Sequence, residues 1–326
     1  MWKRFISGLV CFALCGCLCS CSHTSHLIAY TVYPIGWLLE QIGGNTITIE
    51  SVQTDTLVQK STAVDSFTDI LSGAAVYMHI GDLEPYQSVQ EDNISTYAQE
   101  DLDLSTAGGQ YDFARYTRKA DGTVEETEYY EDASFDDVDV CEKEQAFWLD
   151  PIAMLSMGRM ICSWLQEKYP DHSDYYQENM DALAAELIDL DGEYQNLAAS
   201  LEKNDQTIRF VTMSNGFGIL QNAYRFEVYP VVLSRYGVLP NEIQLEKIKE
   251  RIVEDDVKYI VYEPNMSDDM KELFSRLEDE LGLTRVELSN LFSLSAQQEE
   301  DGKDYLSLME DNLLVLETME TSDLKE

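Results

Sequence analysis

The chain has 326 residues, and 61 acidic against 22 basic side chains leave a net charge of -39. Such a surface offers no positive footprint to displace counterions from phosphates, which excludes nucleic acid as a partner, and any attachment to a lipid surface must come from a specific anchor. An apolar share of 44% with 10% aromatics fills two cores at this length and excludes a disordered acidic chain.

Lys3 and Arg4 precede an uncharged stretch from Phe5 to Leu18. That is shorter than the roughly 20 residues of a spanning helix and fits the apolar region of a secretory signal. Cysteines crowd this segment at positions 11, 15, 17, 19 and 21, and a soft-metal site is the weaker reading of that spacing. Leu18, Ser20 and Cys21 form LCSC, which resembles the lipobox of bacterial lipoproteins and implies a signal over 1–21 with lipid on Cys21; the earlier LCGC implies Cys17 instead. His23 and His26 follow in a stretch that reads as a solvated tether. The remaining cysteines, Cys141 and Cys162, fall in an acidic loop and an apolar helix, so two unpaired thiols are expected rather than a disulfide framework.

Apolar and β-branched composition predicts a strand over 27–32, a helix over 35–42 ending at Gly43 and Gly44, a strand over 46–52, a short helix over 66–72 and a buried strand over 75–80. The interval of about 99–145 is dense in Asp and Glu and reads as a long, partly mobile loop with a hairpin near Asp121 and Gly122. Asp150 and Pro151 supply an N-cap and first turn for a helix reaching Tyr169. From Ser173 to Leu201, Tyr176, Met180, Leu183, Leu187, Leu190 and Tyr194 recur at helical spacing without a proline, predicting one helix on the order of 40 Å long. Strands over 207–213, 227–232, 258–262 and 284–288 then alternate with helices over 215–224 and 241–254, from Ser267, and from Asp304. The fold class is therefore α/β: a lobe over 27–170, a linker helix over 173–202 and a second α/β lobe over 203–326, with the ligand cleft between the lobes.

Read together, TVYPIGWLLEQIGG at 31–44, IGDLEPY at 80–86, FWLDP at 147–151, FVTMSNGFGIL at 210–220, YIVYEP at 259–264 and DYLSLMEDNL at 304–313 resemble the metal-specific solute-binding proteins of bacterial ABC importers. The resemblance implies two lobes around a rigid helix, a zinc or manganese ion between them, and delivery to a permease and ATPase by a monomeric lipoprotein on the outer face of the cytoplasmic membrane. It also implies a ligand set that this chain departs from. Ala146 stands where the family has a histidine two residues before WLDP, and Ser214 stands where a second follows the FVT string. Val58 or Gln59, depending on a one-residue gap, holds the place of a third, and Ser289 that of a carboxylate. None of these offers the imidazole, thiolate or carboxylate that zinc or manganese needs, and the family's frequent His-rich loop is replaced by acidic sequence without EF-hand spacing.

His79 would face the cleft, where Asp82, Glu84 or Glu263 could join it in a relocated site; hydrogen bonding as a polar cleft residue is the simpler reading. His172 reads as exposed. Asn215 and Asn290 beside the vacated places suit a neutral solute. Catalysis is not expected, because TMSNG around Ser214 lacks the spacing of a nucleophile elbow and no phosphate loop or paired dinucleotide glycines occur. The leading expectation is a surface solute-binding lipoprotein with an altered metal site. The alternative is a metal-free paralogue that serves as an accessory protein or binds a small organic solute.

Overall fold

The computed structural model describes residues 25–54, 57–109, 111–319 and 321–324. Cys21 and Cys17, the two lipidation candidates, and His23 lie outside the described residues. In the N-terminal lobe β1 (Leu27–Tyr30), β2 (Thr48–Ser51), β3 (Val76–His79) and β4 (Asp101–Asp103) form a parallel sheet of order β2-β1-β3-β4. Its helices are α1 (Tyr33–Gly43), α2 (Phe67–Gly73) and α3 (Gln87–Tyr97). Gly44, at φ +50, ends α1 in a backbone region that side chains rarely adopt, and its N–H closes on the Glu40 carbonyl. Sequence reading misses α3, which buries no side chain and so carries no apolar stripe.

His26 is docked rather than part of a free tether. Its ring stacks on Tyr169 at 4.8 Å between centroids, and its Nδ1 lies 3.0 Å from the Thr46 carbonyl.

The interval 99–145 is more structured than one loop. It contributes β4 to the first sheet and then a hairpin, β5 (Arg115–Arg118) with β6 (Val124–Thr127), whose turn is shaped by Gly122 at φ +84 and by the Asp121 carboxylate accepting from the Thr123 N–H. From the hairpin onward the segment packs on the C-terminal lobe. Arg115 pairs with buried Asp255 at 3.4 Å, the Tyr130 hydroxyl donates to the Pro230 carbonyl, and the Gln244 amide donates to the Ser134 carbonyl. Tyrosines scattered among the acids are what this docking buries: Tyr129 and Tyr130 belong to the main core.

α4 (Pro151–Lys168) starts where the sequence predicts, with the Asp150 carboxylate accepting from the Ile152 and Ala153 N–H groups. α5 (Ser173–Lys203) is one 31-residue helix, about 45 Å long, with the stripe from Tyr176 to Leu201 buried along its length. Near its far end the Tyr194 hydroxyl donates to the Met309 carbonyl, so the helix is fastened to both lobes.

The C-terminal lobe runs β7 (Gln206–Thr207), β8 (Arg209–Thr212), α6 (Ile219–Tyr224), β9 (Glu227–Pro230), α7 (Glu242–Glu254), β10 (Tyr259–Tyr262), α8 (Asp268–Leu281), β11 (Thr284–Glu287), α9 (Ala296–Glu300), α10 (Tyr305–Thr318) and β12 (Ser322–Asp323). Its main sheet, β11-β10-β8-β9, is again parallel. Numbered within its lobe, it has the same 2-1-3-4 order as the first sheet. Both lobes therefore reverse direction between their first and third strands, and each reversal opens a crevice at the carboxyl ends of those strands. Cys141 and Cys162 are buried free thiols.

Candidate functional site

In the C-terminal lobe the crevice lies between the ends of β8 and β10, and Glu263 fills it. This side chain is 0% exposed. Its Oε1 accepts the Met213 and Ser214 N–H groups at 2.9 and 2.8 Å, and its Oε2 accepts the Ser214 hydroxyl and, at 2.6 Å, the Asn290 amide. Burial pushes the Glu263 pKa above the ordinary carboxylate value, against these donors. Asn290 is itself held by Asn265, and its carbonyl accepts the Trp148 indole N–H at 2.8 Å, which ties FWLDP to the loop after β11. Leu291 in that loop sits at φ 58, a strained place for a branched side chain.

In the N-terminal lobe the crevice lies between the ends of β1 and β3. Glu84 is again 0% exposed, and its side-chain partners are the Gln87 amide, which donates to Oε2, and the Thr31 hydroxyl. Burial raises the Glu84 pKa. His79 ends β3 with Nδ1 2.8 Å from the Gly81 carbonyl and Nε2 2.9 Å from Asp101 Oδ1. A carbonyl and a carboxylate only accept, so the protonated ring satisfies both contacts and the neutral ring only one. Burial pulls its pKa down, but Asp101 outweighs that with the Gly81 carbonyl, and the net shift is upward.

The lobes meet through polar contacts at the mouth of the cleft. Arg235 Nη1 binds Asp82 Oδ2 at 2.7 Å, Lys60 binds Asp269 at 3.2 Å, and the Gln59 amide reaches the Val232 carbonyl at 3.4 Å. Burial raises the pKa of Asp82, but hydrogen bonds from Arg235 and Gln145 bring it below the ordinary value.

Gln59, Ala146, Ser214 and Ser289, at the places where the family resemblance expects ligands, are all buried. Only Ser214 joins Glu263. Ser289 is pinned by Asn312, which accepts from its N–H and donates to its carbonyl, and the Ala146 N–H donates to Glu144. Asn215 is half-buried beside Ser214. His79 does not meet Glu263, and its partner is Asp101 rather than Asp82 or Glu84. Asp101 lies on the neighbouring strand β4 and belongs to none of the motifs, so no sequence signal marked that pair. Arg235 and Glu144 were also missed; Glu144 has one available cue, an acid two residues before a vacated ligand place.

As a donor set these residues do not fit a transition ion. Three of the four places offer an amide or hydroxyl and the fourth a methyl, and of the two buried acids beside them Glu263 has its oxygens occupied while Glu144 stands alone. Among the described residues no group of three or more His, Cys, Asp or Glu side chains is placed to hold a metal.

A family model described as "Zinc-uptake complex component A periplasmic" matches residues 28–319. The "High-affinity zinc uptake system protein ZnuA" of Bacillus subtilis is 28% identical over 166 residues, 51% of this chain and 50% of that protein. The "Zinc-binding lipoprotein AdcA" of Streptococcus pneumoniae strain R6 is 27% identical over 170 residues, 52% of this chain and 32% of that one. These alignments span half or less of the relatives' length. Zinc-bound AdcA from Streptococcus pneumoniae superposes with a TM-score of 0.66 at 19% identity, over 92% of this chain and 59% of that one. The periplasmic zinc-binding protein TroA of Treponema pallidum gives 0.68 at 15%, over 89% and 97%. At those identities the superpositions establish the two-lobed fold. The family match over almost all the described residues establishes more: this chain belongs to the family of the zinc-uptake component A, whose members are solute-binding proteins and not enzymes.

Proposed function

We propose that this chain is the exported solute-binding lipoprotein of a metal-type ABC importer, anchored through Cys21 on the outer face of the cytoplasmic membrane, monomeric, and working with a permease and an ATPase. We further propose that its inherited cation place is altered and holds neither zinc nor manganese tightly. Family membership and the signal-like first 21 residues support the first part. The observation that carries the second is the occupation of Glu263: this acid, in contact with Ser214, spends its four hydrogen bonds on Met213, Ser214 and Asn290. Binding an ion there would strand those donors in a buried site.

The test is the metal content of full-length protein purified without chelator, followed by thermal unfolding with zinc, manganese and calcium. Well under one zinc per chain and no zinc-dependent rise in Tm are expected, because only tight binding to the native state raises apparent stability. A stoichiometric zinc load overturns the altered-site reading. Combining Gln59→His, Ala146→His, Ser214→His and Ser289→Asp is expected to create a zinc-dependent rise that the parent lacks. The importer role is tested separately, by co-purification of a permease and ATPase with the chain from its own membranes; their absence counts against it.

A further inference from the structure

The loop after β11 carries an aromatic ring onto the seam between the lobes. Phe292 is 1% exposed, and its ring meets the Trp148 ring of the N-terminal lobe edge to face, with 5.1 Å between centroids. From the C-terminal lobe the main chain of Gly216 closes on the same ring. A Cβ added to Gly216 would stand 2.8 Å from Phe292 Cε2 and 3.2 Å from the Ser214 hydroxyl oxygen. The Phe292 carbonyl accepts the Tyr33 N–H at the start of α1, at 3.2 Å, and its own N–H donates to the Asn290 side-chain oxygen at 3.1 Å. The residue is therefore held by both lobes.

Three of the four places where the family resemblance expects ligands lie on the stretches that this ring joins. Trp148 is two residues past Ala146, Gly216 is two past Ser214, and Phe292 itself is three past Ser289. The seat of the ring is also specified by the backbone. Leu291, just before it, holds φ 58, a conformation that persists only where the surroundings over-determine it. Asn290, which receives the Phe292 N–H, is fixed in turn by its amide on Glu263.

A phenyl ring offers a cation no lone pair, strips its water and takes up the volume in which ligands would have to converge. We propose that Phe292 is the residue that decides what this cleft admits: its ring stands between the Ala146 and Ser214 stretches and keeps an ion out in addition to the missing ligands. The inference rests on the altered-site reading above and deepens it, because it names an obstacle that restored ligands overcome only in part.

The experiment is calorimetric titration of zinc into two full-length chains, the combined variant Gln59→His, Ala146→His, Ser214→His and Ser289→Asp, and the same variant with Phe292→Ala. Removing the ring is expected to tighten zinc binding about tenfold or more. Phe274→Ala in the same background, the loss of an equally buried ring on α8, is expected to leave the affinity unchanged. Circular dichroism checks each fold, and if Phe292→Ala unfolds, Phe292→Leu replaces it with a smaller gain expected. A second measurement needs no engineered ligands. Phe292→Ala in the parent is expected to speed hydrogen exchange at Tyr33 in one lobe and at Gly216 in the other, which an ordinary core ring of the C-terminal lobe would not do. With a zinc-free parent, the absence of any gain on removing the ring, an equal gain from Phe274→Ala, or faster exchange confined to the C-terminal lobe overturns this inference alone. A stoichiometric zinc load in the parent overturns it together with the altered-site reading.

Discussion

Glu263 and Glu84 follow the third strand of two sheets with one topology, and both are fully buried. They have opposite surroundings. Four donors converge on Glu263, two of them main-chain N–H groups; Glu84 is met by two side chains, Gln87 and Thr31. A carboxylate saturated by its own loops acts as a structural brace for the β8 and β10 ends, whereas one met by side chains alone braces no main chain. The end of the C-terminal sheet is thus bound up by its own main chain, and the end of the N-terminal sheet is not.

Unfolding measurements separate the two directly. Glu263→Ala leaves at least two buried main-chain donors without an acceptor, at roughly 1–3 kcal/mol each, so a loss of about 3–5 kcal/mol in urea unfolding at pH 7 is expected. Glu84→Gln keeps a polar group of the same shape beside Gln87 and Thr31 and is expected to change stability by under about 1 kcal/mol. Equal losses at the two positions would break the contrast.

A third buried acid sharpens it, because Glu144 has still fewer donors. Only the Ala146 N–H reaches it, and burial pushes its pKa up to about 8. The folded chain then holds this proton from the ordinary carboxylate range up to about pH 8 while the unfolded chain has released it. Native protein binds the extra proton throughout that window, so stability falls as pH rises through it and levels off above. The loss is on the order of 4 kcal/mol. Glu144→Gln removes it: parent and variant are expected to be alike near pH 5, with the variant clearly more stable at pH 9. Parallel curves in urea titrations at pH 5, 7 and 9 would show that Glu144 ionises freely.

These contrasts also mark what the sequence could disclose. The α5 stripe, the Asp150 cap and the alternation of strands were legible because each is a local pattern within a few residues. The expectation at Ala146 and Ser214 rests on neighbouring motifs that fix those positions. The brace on Glu263 was not, since Ser214 and Asn290 reach it from 49 and 27 residues away. Nor was the docking of the acidic interval, which depends on Arg115 meeting Asp255 across 140 residues. Composition suggested a solvated loop, but the tyrosines within it decided its packing.

The smallest effect concerns how one lobe is held to the other. Asp82 is largely exposed, so its pair with Arg235 is screened and contributes at most about 1 kcal/mol. Its lowered pKa places that contribution above the ordinary carboxylate range, and it is lost as pH falls through the folded value. Asp82→Asn retains the main-chain carbonyl that Arg235 also binds, whereas Arg235→Ala removes both contacts. Neither is expected to shift Tm by more than a few degrees. Hydrogen exchange is the sensitive readout: Arg235→Ala is expected to speed exchange at 80–83 and 231–236 and leave the Met213 and Ser214 amides, held by Glu263, unchanged. If those two amides quicken as much as the mouth does, the lobes open as one unit with the brace, and the two crevices are not independent.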